Sequence, residues 1–75
     1  MNVDRAQPHE KLIAALDEYG ADLTLFEVAD VDTLWRGGYR SVRGLQTATR
    51  QGLTAAGLPP GIVDHILALQ AVQLF

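Results

Sequence analysis

No stretch of this chain alternates apolar and polar residues for the length of a strand. Its apolar residues recur at three- and four-residue spacing, which gathers them on single faces of helices. That spacing predicts an all-α protein. Pro8 suits the first turn of a helix, where its missing N–H costs nothing, and Leu12, Ile13, Leu16 and Tyr19 follow at helical spacing up to a stop at Gly20. A helix is expected over about 8–19. Asp22 can cap the next run, in which Leu23, Leu25, Phe26 and Val28 are too densely apolar to face water. Asp30 or Asp32 can cap a short turn carrying Val31, Leu34 and Trp35 before Gly37 and Gly38 end it, so this region reads as one or two short helices.

Ser41 is placed to cap Val42 to Gln46, and Thr47 or Thr49 to cap a helix that ends at Ala56 with Gly57 as its left-handed stop. Leu58-Pro59-Pro60-Gly61 is then a tight linker. The last helix is expected over about 60–74, with Ile62, Ile66 and Leu69 as its inward stripe and Val63, Leu67 and Leu74 broadening it. Residues 1–7 are expected to form a flexible N-terminus ahead of one domain over 8–75.

Seventy-five residues leave no room for a second domain, which would need roughly 50 residues of its own. A core this small supplies only ~3 to 5 kcal/mol and leaves little space for a deep cleft, so a binding or assembly module is expected, not an enzyme. With no cysteine there is no thiolate nucleophile, disulfide framework or cysteine zinc site, and His9 and His65 are too few to hold a metal alone. No catalytic residue, metal or cofactor is therefore assigned. The most apolar stretch, Ile66 to Phe75, is broken by Gln70 and Gln73, and Met1-Asn2-Val3-Asp4 carries neither a basic nor an apolar leader. Neither a membrane span nor a secretion signal is expected, and an intracellular, cytoplasmic protein is the expectation.

The net charge of −3 is the sum of unlike stretches. Residues 1–32 hold eight acids against Arg5 and Lys11, a net of −6, whereas residues 33–60 hold Arg36, Arg40, Arg43 and Arg50 with no acid, a net of +4. A chain polarised in this way can attract copies of itself, positive face to negative face. The alternative is that the acids neutralise the arginines within one subunit.

From Leu34 onward the order is Leu34, Gly38, Tyr39, Val42, Leu45, Ala48, Thr49, Leu53, Ala56, Gly57, Leu58, Gly61 and Ile66. This resembles the sterile alpha motif (SAM) domain, whose second half reads Leu-x-x-Leu-Thr-x-x-x-Leu-x-x-Leu-Gly-Ile and then Gly-x-x-x-x-Ile. Here Leu45-x-x-Ala48-Thr49-x-x-x-Leu53-x-x-Ala56-Gly57-Leu58 keeps that register, and Gly61 stands five residues before Ile66. The match covers roughly 40 residues by the same helix-and-stop logic used above. Alanine replaces leucine at positions 48 and 56, the Gly57–Gly61 loop is one residue shorter than the family's, and the first half does not align.

The resemblance implies a compact five- to six-helix SAM-like bundle with a long C-terminal helix. It also implies two contact faces: a mid-loop-like face with Trp35, Arg36, Tyr39, Arg40 and Arg43, and an end-helix-like face with Pro60, Gly61, Ile62, Asp64 and His65. The arginines make the first face positive, the reverse of the polarity usual in polymeric members, and Asp64 stands where a basic residue is usual. Asp64, with acids from the first helices, could then serve as the negative partner.

Other motifs compete. Asp30-Val31-Asp32 lacks the glycine and glutamate of a calcium loop, since Trp35 and Ser41 stand at those positions. Gly37-Gly38-Tyr39-Arg40-Ser41 could cradle a phosphate but lacks the Gly-Lys-Ser/Thr of a P-loop, and a helix stop with a serine cap explains it. Ser41 and His65 could be written into a triad, but no Gly-x-Ser-x-Gly elbow is present. Trp35 fits the core edge better than a free anchor, and His65 fits a partly exposed surface position. Leu58-Pro59-Pro60-Gly61-Ile62-Val63 resembles a DNA-binding helix-hairpin-helix, yet Val63 replaces its second glycine and Asp64 would face the phosphate. A pI near 5.0 also argues against nucleic acid.

The expected function is therefore a protein–protein interaction module that self-associates head to tail through complementary charged faces, as an adaptor or scaffold would. Its partner is itself or another small helical domain. The alternative is a nucleic-acid-binding helical module.

Overall fold

In the computed structural model, which describes residues 8–72, the chain is all-α, with no strand among those residues. The helices are α1 (Pro8–Tyr19), α2 (Val28–Arg36), α3 (Val42–Gln46), α4 (Arg50–Ala56) and α5 (Pro60–Val72), with a 3₁₀ turn (Leu23–Leu25) between the first two. The flexible stretch expected over 1–7, and Leu74 of the expected last stripe, lie outside the described residues. None of the helices described is long and apolar enough to cross a membrane.

The bundle closes because each helix brings apolar residues to the same centre. Leu12, Leu16 and Tyr19 come from α1, Val31 and Leu34 from α2, Leu45 from α3, Leu53 from α4, and Ile62, Val63 and Ile66 from α5, with Ala48 and Leu58 filling the connections. Full burial of a leucine or isoleucine contributes about 1.5 to 3 kcal/mol before chain entropy is subtracted. Helix α1 packs on α2 and α3, and α5 packs on α3 and α4, so the core lies between the first and last helices.

Local chemistry sets the helix ends. Ser41 Oγ accepts the Gly44 N–H at 3.2 Å to start α3, and Thr49 Oγ1 accepts the Gly52 N–H at 3.0 Å to start α4; such caps contribute about 1 kcal/mol each. Thr47, the other candidate cap for α4, instead closes α3, its hydroxyl donating to the Arg43 carbonyl at 3.1 Å. Gly38 (φ +93°) and Gly57 (φ +104°) take the left-handed conformation that ends α2 and α4, a region costly for residues with a Cβ. Helix α3 has only five residues, and its end is held from outside. Gln70 on α5 donates its side-chain N–H groups to the carbonyls of Leu45 and Ala48, both at 2.7 Å, so carbonyls left without helical partners are satisfied.

Three expectations are corrected. Glu27, not Asp30 or Asp32, is the N-cap of α2; Asp30 lies three residues in and accepts the Glu27 N–H at 2.9 Å, and Asp32 lies inside the helix. Leu23, Leu25 and Val28 face outward, because the 3₁₀ turn and the entry to α2 turn only Phe26 toward the core. Leu69 is half-buried, packed against the edge of the core, not inside it.

Candidate interaction faces

The end of α2 and the loop after it carry the cationic residues. Trp35 is half-buried at the core edge, and the Arg40 guanidinium lies over its ring, 4.4 Å from the centroid. Arg40 is locked there by a second contact, its Nε donating to the Trp35 carbonyl at 2.9 Å. The His9 ring meets Trp35 edge-on at 6.1 Å. An exposed cation–π contact contributes only about 0.5 to 1 kcal/mol, so its effect here is to fix where the charge sits.

Asp32 draws in two neighbours. Its carboxylate lies 3.0 Å from Arg36 Nε and 3.3 Å from His9 Nε2. Arg36 is therefore matched within its own helix. Arg40 and Arg43 are exposed and make no ion pair with another described residue. Tyr39 turns its ring inward over α4, where its hydroxyl lies above Gly52. Of the mid-loop-like residues, the structure thus gathers Trp35, Arg36 and Arg40, leaves Arg43 exposed on α3, and half-buries Tyr39.

The end-helix-like residues are less available. Pro60, Gly61 and Asp64 are exposed, but Ile62 is only 6% exposed and belongs to the core, four residues before Ile66. Asp64 already pairs with Arg50 Nη1 at 2.9 Å, tying the start of α4 to the second turn of α5. His65 is half-buried, its Nε2 accepting the Asp22 N–H at 3.0 Å while its ring meets Phe26 at 5.9 Å. Asp22 in turn accepts both the hydroxyl and the N–H of Thr24, which hold its carboxyl below the usual carboxylate range.

Neither candidate phosphate loop presents a row of free N–H groups. The amides of Gly37, Gly38, Tyr39 and Arg40 all donate to carbonyls of the α2 end and its turn, and those of Ile62 and Val63 donate to the Pro59 carbonyl. Among the described residues no set of three His, Asp or Glu side chains converges as a metal site would require.

A third surface was not foreseen. Between α1 and the entry to α2 lies a groove of about 240 Å³ lined by His9, Ile13, Leu23, Phe26, Val28 and Val31. Val28 is 80% exposed, Ile13 41% and Leu23 36%. The sequence signal was the dense apolar run over 23–28, which reads equally well as inward or outward when no helical period runs through it. Val28 and Trp35 stand seven residues apart on α2, on one stripe, so the groove and the cationic edge occupy opposite ends of the same side.

No protein-family model, curated protein or solved structure matches the chain.

Proposed function

We propose that this chain is a protein–protein interaction module, a SAM-like bundle with α5 as its long C-terminal helix, that self-associates head to tail through complementary charged faces. The observation that carries this reading is the pair Arg40 and Arg43: two exposed cations without an ionic partner among the described residues, one of them fixed on Trp35. Acids crowd the first 32 residues, so a second copy offers what these arginines lack. Arg36 and Arg50 are matched within the chain, and intramolecular neutralisation therefore accounts for only half of the positive stretch.

The test is mass by light scattering against concentration, at low and high salt. Mass is expected to rise with concentration, salt to weaken the assembly without erasing it, and Arg40→Glu to remain monomeric. A monomeric wild type that retains a nucleic-acid hairpin tightly at physiological salt replaces this reading with nucleic-acid binding.

A further inference from the structure

The start of α5 is a poor receiver for the Arg40–Trp35 edge. Its one acid, Asp64, is held by Arg50 at 2.9 Å, and its apolar Ile62 is buried. The groove between α1 and α2 differs on both counts. Its floor is apolar and open, with Val28 80% exposed and Ile13 41%. Two acids neighbour its lining residues in the chain: Glu27 precedes Val28, and Asp17 follows Ile13 by one turn of α1. Both acids are exposed and make no ion pair with another described residue.

We infer that this groove receives the Arg40–Trp35 edge of a second copy of the chain, an inference that rests on the self-association proposed above. Charge is complementary in this pairing. The first 32 residues carry a net of −6 and the next 28 a net of +4, and Glu27, Asp17 and Arg40 are among the exposed members of the two sets that make no ion pair with another described residue. Exposed ion pairs alone add little affinity, so the apolar floor of the groove supplies what charge cannot. The acids beside it in the chain then select a cationic edge over an apolar one and fix its orientation.

The experiment compares wild type, Val28→Lys, Arg40→Glu and an equimolar mixture of the two variants by light scattering at low salt. Val28 is largely exposed, so lysine there is expected to leave the melting temperature within a few degrees of wild type. Ile13→Lys, on the facing wall of the groove and 41% exposed, replaces it if it does not. Each variant alone should need at least tenfold more protein to associate than wild type. The mixture should associate again, because Arg40→Glu keeps an intact groove and Val28→Lys an intact cationic edge. Wild-type association by both lysine variants, with Arg40→Glu monomeric, overturns the groove and leaves self-association standing through another face. A wild type that stays monomeric throughout overturns both.

Discussion

The hydroxyl of Tyr39 lies so close above Gly52 that a methyl group at position 52 would come within 2.6 Å of it. Helix α4 therefore lacks a side chain at that position because the loop ahead of α3 packs there. Alanine is favoured over glycine in a helix by about 1 kcal/mol, and the contact sets that gain against displacement of the ring. Gly52→Ala is expected to destabilise the wild type and to stabilise a Tyr39→Phe background, where the hydroxyl is gone. Thermal melts of the four proteins check the reversal, and a gain in both backgrounds would show that Tyr39 moves aside freely.

Leu53 is fully buried at the centre of the bundle, among side chains from the other helices. Truncation to alanine is expected to cost about 2 to 5 kcal/mol, comparable with the ~3 to 5 kcal/mol a core of this size supplies. Loss of helical circular dichroism at 25 °C is the expected result. A melt within a few degrees of wild type would mean that the centre collapses around the gap.

Much of this architecture was legible because glycine, serine and threonine set helix ends by local chemistry. The bounds of α1, the serine cap of α3 and the stop at Gly57 all follow from neighbours in the chain. The surfaces were less legible. Whether Arg50 meets Asp64 depends on how the starts of α4 and α5 are placed against each other, which no local rule reports. The run from Leu23 to Val28 was read inward because apolar density was its only signal, and a three-residue 3₁₀ turn imposes no lasting period. The spacing of Trp35 from Val31 and Leu34 shows its place at the core edge, whereas no local rule reports that Arg40 covers it.

The depressed pKa of Asp22 carries a sign. A carboxyl whose folded pKa lies below its unfolded value stabilises the fold above the unfolded value, and that contribution is lost as pH falls through the folded one. Asp22→Asn keeps an oxygen for the Thr24 N–H but removes the ionisation. Its stability is expected to fall less steeply than that of wild type below the ordinary carboxylate range, as measured by denaturation midpoints across acidic pH. Parallel acid limbs would place the dependence on other carboxylates.

Asp64→Arg sets like charges together where Arg50 now has a partner. Exposed pairs contribute about 0 to 1 kcal/mol, so a small loss of stability is expected. Self-association should persist, because Asp64 is committed within its own chain. Abolished association with an unchanged fold would return the start of α5 to the interface.

Gln70 gives the end of α5 an influence beyond packing. Its two bonds reach 25 and 22 residues back along the chain, to the carbonyl of Leu45 in α3 and that of Ala48 just beyond it, and α3 carries Arg43. Five residues cannot hold a helix by themselves, so the posture of that charge depends on this amide together with the Ser41 cap and buried Leu45. Unwinding the last turns of α5 would release both carbonyls together, leaving α3 to its Ser41 cap and buried Leu45. One side chain on the last helix thereby links order at that end of the chain to order in the segment that bears Arg43.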